Sequence, residues 1–479
     1  MTAEHVDVLI VGAGISGIGA AAHLQDRCPD RTYAILEARQ SLGGTWDLFR
    51  FPGVRSDSDM LTLGYSFRPW TGTSTLADGA SIRAYLQDTA RERGLDTKIR
   101  YGHKVVAAEW SSAEARWTVT VESDAGSTQL TCAFLYACTG YYRYDEGFRP
   151  EFPGERDFAG PVVHPQHWPA DLDHTGKRVV VIGSGATAVT VVPAMAAAAA
   201  GVTMLQRSPS YIMTLPKQDV ILEKLHQRLP DKLATRIGRG KNLALQMVLY
   251  QLAQRAPRLM RRLLMAGVRK QLPAGYPVDT HFRPAYDPWD QRLCFVPDGD
   301  LFAAISSGKA AMVTDTIDTF TETGIRLGSG TELPADIVVT ATGLTLLAIG
   351  GMRLSVDGEP VELAEKVAYK GMMLSGVPNF ALAIGYTNAS WTLKCDLVSE
   401  YVCRVLNELA RTGARVVTPV PPPPGPREPL LNLESGYIRR GIDRLPRQGP
   451  GRPWRLNQNY AQDVLLFRHG PVTDEVEFS

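Results

Sequence analysis

The sequence predicts an α/β protein built from two Rossmann-like dinucleotide-binding domains, with the second domain inserted in the first. A short β-branched strand, a glycine turn and an Ala-rich helix follow one another twice, in "VDVLIVGAGISGIGAAAHLQ" and in "KRVVVIGSGATAVTVVPAMAAAAA". Two apolar strands, in "CAFLYACTGYY" and "ADIVVTATGL", each end in a Thr-Gly pair. In proteins with two nucleotide domains such strands mark where the chain crosses between the domains, and the second unit lies between them.

The composition is that of a globular protein of two or three domains. The chain has 479 residues, 44% of them apolar, with 51 basic and 50 acidic side chains. This charge balance argues against a nucleic-acid-binding protein. The six cysteines show no C-x-x-C pair or zinc-ligand spacing, which predicts reduced thiols and no metal site. The N-terminus lacks a signal-peptide pattern and no apolar run reaches the length of a membrane span, so we expect a cytoplasmic protein.

The first glycine turn is predicted to bind FAD. Gly12, Gly14 and Gly17 form the pattern G-x-G-x-x-G, which permits a tight turn, close approach of a pyrophosphate and packing of the helix on the strand. The next apolar strand, "YAILE", ends in Glu37, at the position where an acidic side chain binds the ribose hydroxyls of an adenosine. An unphosphorylated ribose, as in FAD, suits this position.

The second glycine turn is predicted to bind NADPH. Gly183, Gly185 and Ala188 occupy its three positions, and the strand in "VTMLQRS" ends in Arg207 and Ser208. A guanidinium can form a bidentate contact with the 2′-phosphate of NADPH, whereas a carboxylate would repel that phosphate. The alternative for Arg207 is a solvated cation at the end of a strand.

We expect three segments along the chain. Residues 1–150 form the N-terminal part of the FAD domain, residues 151–335 form the NADPH domain, and residues 336–479 return to the FAD domain and add a C-terminal extension. A helical insert at about residues 218–275 interrupts the NADPH domain, because apolar residues recur there at helical spacing, with Pro257 between two helices.

The helical insert carries many more Lys and Arg than Asp and Glu, and it has two interpretations. A basic, Leu-rich amphipathic helix can lie on an anionic membrane surface. It can also cover an active site and keep its charged face in water. Charged helix faces are usually only solvated, so the pattern favours a cover that shapes the substrate pocket. Peripheral membrane contact is the alternative.

A longer pattern precedes the second glycine turn. Phe158, Gly160, His164, Trp168 and Pro169 spell F-x-G-x-x-x-H-x-x-x-W-P. This pattern resembles the fingerprint of Baeyer–Villiger monooxygenases, flavoenzymes that insert one oxygen atom beside a ketone carbonyl. The stretches "GGTWDLFRFPGVRSDSDM" and "YTNASWTLKCDLVSEYV" also resemble this family, and most of all its mycobacterial ethionamide-activating subgroup, which acts on ketones and on thioamide or thioether sulfur.

The resemblance implies FAD and NADPH as cofactors, with dioxygen and a small ketone or organosulfur compound as substrates. In this family NADPH reduces FAD, dioxygen adds to the reduced flavin, and the resulting flavin 4a-peroxide attacks the ketone to give an ester or lactone. The segment with Gly44, Thr45 and Trp46 is expected to run from the flavin pyrophosphate to the flavin ring. Such a peroxide needs a dry site and a fixed cation beside it.

The resemblance assigns that cation to Arg292, in "WDQRLCF", with Asp57 as the acid that orients it. Arginine suits the role because it stays protonated near neutral pH. Asp59 is the neighbouring alternative, and either aspartate could instead cap the next helix. Many family members carry Lys before the catalytic arginine, where it helps to hold the NADPH 2′-phosphate, and this chain has Gln291. We therefore expect a reduced preference for NADPH.

His164 and Trp168 lie on the segment between the two nucleotide domains, and we expect them to couple cofactor binding to domain closure. A hydrogen-bonded loop histidine is the plainer interpretation of His164. For the whole chain, the alternatives to ketone oxidation are a flavin monooxygenase that oxidises only nitrogen or sulfur, and a flavin-binding redox sensor that does not turn over.

Overall fold

The computed structural model describes residues 4–72, 74–431 and 433–479. The N-terminal segment builds most of a large sheet and four helices. Its elements are β1 (Glu4–Val11), α1 (Ile15–Arg27), β2 (Tyr33–Glu37), α2 (Thr45–Leu48), α3 (Met60–Leu63), α4 (Gly79–Glu92), β3 (Ile99–Tyr101), β4 (Lys104–Ser111), β5 (Arg116–Ser123) and β6 (Gly126–Ala137).

The C-terminal segment returns to the same sheet. Its elements are β17 (Arg353–Val356), β18 (Glu359–Pro360), β19 (Ala368–Tyr369), β20 (Met373–Leu374), β21 (Phe380–Leu382), α11 (Trp391–Thr412), β22 (Val417–Pro419), β23 (Glu428–Pro429), α12 (Gly436–Gly441), β24 (Arg447–Gln448), α13 (Tyr460–Val464) and β25 (Val476–Phe478). This return confirms the prediction that the first nucleotide domain is assembled from both ends of the chain.

The first sheet has nine strands, of which eight follow the order β18-β17-β4-β5-β6-β1-β2-β3 while β21 pairs separately with β6. Strand β1 lies at its centre and pairs in parallel with β2 and β6. The residues 8–11 of β1 are all buried, as in a strand with helices over both faces. Helix α1 packs against α11, and the small side chains Ala20, Ala21 and Ala22 allow the close approach.

The segment between the two Thr-Gly crossings forms the second nucleotide domain. Its elements are β7 (Val162–Val163), β8 (Arg178–Ile182), α5 (Ala186–Met195), β9 (Gly201–Gln206), β10 (Ile212–Leu215), α6 (Val220–His226), α7 (Asp231–Arg255), α8 (Pro257–Gln271), α9 (Val278–His281), β11 (Cys294–Pro297), α10 (Asp300–Ser306), β12 (Ala310–Thr314), β13 (Ile317–Thr321), β14 (Gly324–Leu327), β15 (Glu332–Pro334) and β16 (Ile337–Thr340). Its main sheet is wholly parallel, in the order β12-β9-β8-β16-β7.

Strand pairing extends the second sheet beyond the boundary expected at residue 335. Strand β16 pairs with β8, with Val338 opposite Val180 and Thr340 opposite Ile182. Hydrogen bonding along the whole strand thus places it in this sheet, and we propose that the second domain ends after Thr340 and not at residue 335.

The insert between β10 and β11 consists mainly of the three helices α6, α7 and α8. Pro257 stands at the first position of α8, where its missing N–H costs nothing because that amide has no partner inside a helix. Helix α7 packs on the first domain, because Asn242 donates to Asp59 at 3.0 Å and Arg239 donates to the carbonyl oxygens of Leu61 and Gly64 at 2.6 and 2.7 Å.

Two ion pairs hold the C-terminal extension against α11, and one of them is buried. Lys394 lies 2.7 Å from Asp463, and both side chains are 1% exposed. Arg468 forms two hydrogen bonds with Glu400, at 2.6 and 3.0 Å. Among the residues that the structure describes, no helix is long and apolar enough to cross a membrane.

Candidate active site

A large cavity lies where the two nucleotide domains meet. Its volume is about 1570 Å³, and it is lined by both glycine turns and by Arg292 and Asp57. Pockets for one small ligand are usually about 300–1,000 Å³. The cavity therefore has room for more than one ligand.

The first glycine turn is shaped so that only bare backbone fits. Gly12 has φ +104°, and a Cβ there would lie 2.7 Å from the carbonyl oxygen of Cys138. A Cβ on Gly17 would lie 1.8 Å from the carbonyl oxygen of Gly12. Gly14 caps α1, whose N-terminal amides favour an anion, and it faces Gly44 across the cavity wall. This cradle fits the pyrophosphate of a dinucleotide.

Glu37 ends β2 beside this turn. It is 6% exposed, and its carboxylate accepts hydrogen bonds from the backbone N–H of Ala13 at 2.8 Å and of Arg39 at 2.9 Å. Burial raises the pKa of Glu37, although these two hydrogen bonds act in the opposite direction. The carboxylate is therefore fixed at the cavity wall, where the ribose hydroxyls of FAD are expected.

Gly44, Thr45 and Trp46 lie at the start of the short helix α2 and line the cavity. Gly44 has φ +56°, which favours glycine. The hydroxyl of Thr45 lies 3.1 Å from that of Tyr144, and Trp46 packs partly buried against the core of the first domain. The backbone around Thr45 is thus accessible from the cavity.

Sequence reasoning missed Asp47, which anchors this segment. Its carboxylate is 3% exposed, accepts a hydrogen bond from Ser41 at 2.5 Å, and pairs with Arg39, Arg50 and Arg83 at 2.8, 2.6 and 3.2 Å. Burial alone would raise the pKa of Asp47, but Ser41 and the three arginines outweigh it and lower the pKa. The acidic residue one position after Trp46 was the only signal in the sequence.

The second glycine turn repeats the arrangement in the second domain. Gly183 has φ +137°, and a Cβ there would lie 2.3 Å from the carbonyl oxygen of Ala341. Ala188 is fully buried and packs the helix on the strand. Gly185, which caps α5, has open space where a Cβ would stand. The open space at Gly185 leaves room for a second dinucleotide to approach the backbone of this turn.

Arg207 and Ser208 follow β9 at the cavity wall, and both are exposed. The guanidinium of Arg207 forms no ion pair with any residue in the described part of the chain. Gln291, where family members often have Lys, lines the same cavity. A phosphate bound at this end of the cavity would contact Arg207, whose guanidinium has no ion-pair partner in the described part of the chain.

Arg292 and Asp57 form a bidentate pair, although they belong to different domains. The Nε atom of Arg292 lies 2.6 Å from one carboxylate oxygen of Asp57, and an Nη atom donates to the other oxygen at 2.8 Å. Both side chains are about one-third exposed, toward the cavity. The Asp57 carboxylate raises the pKa of Arg292 further above its ordinary value, so the guanidinium stays charged.

Asp59 has a different role from Asp57. It is the N-cap of α3, where its carboxylate accepts from the backbone N–H groups of Leu61 and Thr62 at 3.3 and 3.2 Å. It also accepts from Asn242 at 3.0 Å. Because its oxygens are occupied in this way, the structure separates the capping aspartate from the one that holds Arg292.

Three tyrosines that sequence reasoning missed surround Arg292. Tyr141 and Tyr142 follow the first Thr-Gly pair, and Tyr437 lies on α12 of the C-terminal extension. The rings of Tyr141 and Tyr142 are 4.6 Å apart, and that of Tyr437 is 6.1 Å from Tyr142. Burial raises the pKa of Tyr142 and Tyr437, so both hydroxyls stay protonated. The stretch "CTGYY" indicated Tyr141 and Tyr142, whereas no sequence pattern indicated Tyr437.

The fingerprint segment joins the two domains. Phe158 packs against Phe320 in the second domain, and a Cβ on Gly160 would lie 2.3 Å from the carbonyl oxygen of Asp336. Trp168 packs partly buried on the core of the second domain, with Pro169 directly after it. The pattern therefore holds the first crossing against the second domain.

His164 bonds the first crossing to the second. Its Nε2 atom lies 3.1 Å from the carbonyl oxygen of Gly343, and its Nδ1 atom accepts from the backbone N–H of Gln166 at 3.2 Å. Both contacts are satisfied by the neutral ring with the proton on Nε2. Burial lowers the pKa of His164, which favours this neutral form.

Two dinucleotide turns that share one cavity define a flavin- and nicotinamide-dependent oxidoreductase. Residues 74–240 match the family described as FMO-like, flavin-binding monooxygenase-like, and residues 10–72 match an NAD(P)-binding Rossmann-like domain. Over 474 residues the chain is 57% identical to the FAD-containing monooxygenase EthA of Mycobacterium tuberculosis H37Rv, covering 98% of this chain and 97% of that protein. It is 49% identical to the probable FAD-binding monooxygenase AlmA of an Acinetobacter species, covering 99% and 96%.

The chain belongs to the flavin-binding monooxygenase family, and it is an NADPH-dependent flavin monooxygenase with FAD as its second cofactor. Among solved structures, the fold resembles an oxidised steroid monooxygenase bound to NADP, with TM-score 0.77, 21% identity and 99% of each chain covered. It also resembles cyclohexanone monooxygenase in an open form, with TM-score 0.75, 19% identity, and 99% and 100% of the two chains covered. These matches confirm the predicted fold class.

Proposed function

We propose that this protein is a Baeyer–Villiger monooxygenase that converts ketones to esters or lactones, with oxidation of thioether or thioamide sulfur as a second activity. The observation that carries the proposal is the bidentate pair of Arg292 and Asp57 in the cavity between the two nucleotide turns. The overall reaction consumes ketone, dioxygen, NADPH and one proton, and it yields ester, NADP⁺ and water.

The protein's part of the chemistry begins with a fixed positive charge. Bound FAD and NADPH supply the activation of dioxygen and the hydride. When an activated oxygen attacks a carbonyl carbon, negative charge develops, and a preorganised cation stabilises it best where water is excluded. Arg292 provides that charge, and because Asp57 raises its pKa above the ordinary value, the guanidinium stays protonated near neutral pH.

Asp57 fixes the orientation of the Arg292 guanidinium. A guanidinium has five N–H donors in a planar fork, and the carboxylate engages the Nε side and one Nη atom. The remaining N–H groups are left for the reacting oxygen. Because burying an ion pair often contributes little net stability, the pair is better explained by orientation of Arg292 than by stability of the fold.

The tyrosines around Arg292 help to exclude water. Tyr141 also packs on Trp391, at 5.1 Å between ring centroids, so the wall extends from the first crossing to α11. Tyr437 closes it from the C-terminal extension. An aromatic wall of this kind limits loss of activated oxygen as hydrogen peroxide and leaves an apolar surface for a ketone.

The test is a product assay on the FAD-loaded enzyme with NADPH, ¹⁸O₂ and a panel of linear and cyclic ketones. We expect esters or lactones that carry one labelled oxygen, in amounts that match the NADPH consumed. Replacing Arg292→Ala should lower ester formation about 10²- to 10³-fold, the range for loss of one charge-stabilising group. NADPH should still be oxidised by this variant, with hydrogen peroxide as the product, and Arg292→Lys should fall between the two.

Thioethers and thioamides belong in the same assay, because the chain resembles the subgroup that acts on sulfur. Sulfoxide without any ester would overturn the ketone assignment and leave an enzyme that oxidises sulfur. Oxidation of amines alone would make it a nitrogen-oxidising enzyme. If NADPH reduced the flavin and no substrate were oxygenated, the redox-sensor alternative would stand.

A further inference from the structure

Large apolar side chains are exposed mainly on the helical insert. Ten such side chains are exposed in the described part of the chain, and eight of them lie on α6, α7 and α8. These eight, each at least 43% exposed, form what we call the insert face: Val220, Ile221, Leu233, Ile237, Leu245, Val248, Leu259 and Leu263. Such a concentration of exposed apolar surface marks an interaction site.

The exposed residues follow helical spacing, so they form stripes. On α7, Leu233 and Ile237 are four residues apart, and Val248 continues the same side of the helix through the exposed Gly240 and Ala244. On α8, Leu259 and Leu263 are also four residues apart and lead to the exposed Ala266. The surface that the insert presents to solvent is therefore apolar as well as charged.

A row of basic side chains runs beside each stripe. Lys232 and Arg236 stand one position before Leu233 and Ile237, and Arg258 and Arg262 stand one position before Leu259 and Leu263. With those four included, eight exposed cations of the insert form no ion pair with residues 4–72, 74–431 or 433–479: Lys224, Arg228, Lys232, Arg236, Arg255, Arg258, Arg262 and Lys270.

The charge of the insert is opposite to that of the remaining chain. Residues 218–275 contain 12 Lys and Arg against 3 Asp and Glu, so they carry a net charge of +9. The whole chain carries +1, which leaves −8 for the rest. The basic charge is thus concentrated on the helices that expose apolar side chains.

Helices α7 and α8 pack against the protein through residues other than those of the insert face. Helix α7 is already fixed to the first domain by its other side, through Asn242, Arg239 and a hydrogen bond of 3.2 Å from Gln246 to Thr62. Helix α8 buries Met260, Leu264, Met265 and Val268 against the protein. The apolar stripes are therefore additional to the apolar residues that these helices use for folding.

We propose that the insert face docks on an anionic lipid bilayer. Exposed Leu, Ile and Val side chains enter the boundary between headgroups and acyl chains, and the flanking Lys and Arg contact anionic headgroups. A second copy of the chain fits this face poorly, because a twofold contact would bring the same unpaired cations together. The docking does not depend on which substrate the enzyme oxidises.

Vesicle flotation of the full-length, FAD-loaded protein tests the proposal. We expect flotation with vesicles of phosphatidylcholine mixed with phosphatidylglycerol, and much less with phosphatidylcholine alone. Raising the salt from about 0.1 M to about 1 M shortens the screening length from about 10 Å to about 3 Å, so the bound fraction should fall. No flotation with the anionic vesicles at low salt would overturn the proposal.

Matched double variants separate the insert face from charge or hydrophobicity in general. Arg258→Glu with Arg262→Glu should lower the partition coefficient at least about tenfold, because each basic residue near an anionic surface contributes about a factor of five. Lys177→Glu with Lys309→Glu makes the same charge change at exposed, unpaired lysines outside the insert and should leave binding within about twofold. Equal losses in the two variants would overturn the assignment to the insert.

A second pair of double variants tests the apolar side chains of the insert face. Ile237→Ser with Val248→Ser should weaken flotation. Val420→Ser with Leu465→Ser should not, because these are the two exposed large apolar residues that the described part of the chain has outside the insert. Bound FAD and melting temperature verify that each variant is folded. Sedimentation of the soluble protein provides the competing outcome, since a dimer that Ile237→Ser with Val248→Ser abolishes would assign the face to self-association instead.

Discussion

His164 and Gly343 join the two points at which the chain passes between the nucleotide domains, through a hydrogen bond of 3.1 Å from the imidazole Nε2 to the carbonyl oxygen. His164 belongs to the first crossing, and Gly343 follows β16 at the second. A Cβ on Gly147 would lie 2.1 Å from the imidazole, so a glycine leaves the space for the ring. The His164 side chain therefore connects the two linkers between the domains.

The first prediction concerns the role of the hydrogen bond between His164 and Gly343 in domain closure. His164→Ala should slow reduction of FAD by NADPH and increase the share of NADPH that ends as hydrogen peroxide, because the domains lose a fixed relative position. His164→Gln, which can still donate to Gly343, should recover part of both. Rapid-mixing absorbance measures flavin reduction, and a peroxide assay measures coupling. Unchanged values in His164→Ala would refute a hinge role for this residue.

The second prediction is a pH dependence of stability. Burial lowers the pKa of His164 below its ordinary value of 6.5, so the unfolded chain takes up a proton that the folded protein resists. This contribution to stability is present above pH 6.5 and is lost as the pH falls through that value toward the folded pKa. The free energy of unfolding should therefore fall less between about pH 8 and about pH 5 in His164→Gln than in the unsubstituted protein. His281, whose pKa burial also lowers, is common to both proteins and cancels in the comparison.

The third prediction separates the two aspartates. Asp57→Asn should leave reduction of the flavin nearly unchanged and lower ester formation by about 10- to 100-fold, the usual effect of removing a residue that orients a functional group. Asp59→Asn is the matched control, because asparagine is an equally good N-cap for α3. It should keep the ratio of ester to peroxide. A similar loss of ester in both variants would mean that the segment as a whole, and not the Asp57 carboxylate, holds Arg292.

The sequence predicts the parts of this site that local rules determine. Glycine turns, the strand ends at Glu37 and Arg207, and the helices around Pro257 each follow from residues that are close together in the chain. Tyr437 reaches Arg292 from the C-terminal extension, and no periodicity links the two positions. The insert face could not be predicted from the sequence either, because an apolar stripe has the same helical spacing whether it packs on protein or faces outward.

The fourth prediction uses the contrast between the two glycine turns. Gly185→Ala meets nothing within 4 Å and has an ordinary φ of −83°, so the variant should fold and keep its FAD. The added methyl group would stand where a pyrophosphate approaches the backbone, which should raise the KM for NADPH. Gly17→Ala should instead lose FAD and stability, because its Cβ would lie 1.8 Å from the carbonyl oxygen of Gly12. Flavin content, melting temperature and NADPH kinetics measure the three effects, and an unchanged KM in Gly185→Ala would contradict the NADPH site.

The fifth prediction concerns the choice between NADPH and NADH. Arg207 is exposed at the cavity wall and forms no ion pair within the described residues, so its guanidinium is free for a 2′-phosphate. Hydrogen bonds to charged groups contribute about 1.5–3 kcal/mol, so Arg207→Ala should raise the KM for NADPH about 10- to 100-fold. The KM for NADH, which lacks that phosphate, should stay nearly the same.

Gln291 supplies the complementary variant. It lines the same cavity at the position before Arg292, and Gln291→Lys adds a cation there. An exposed ion pair contributes up to about 1 kcal/mol, so the KM for NADPH should fall by up to roughly fivefold, again without a change for NADH. The two variants should move the NADPH preference in opposite directions, and steady-state kinetics with both coenzymes measures it. If Arg207→Ala affected NADPH and NADH equally, the residue would act on the fold of the site and not on the phosphate.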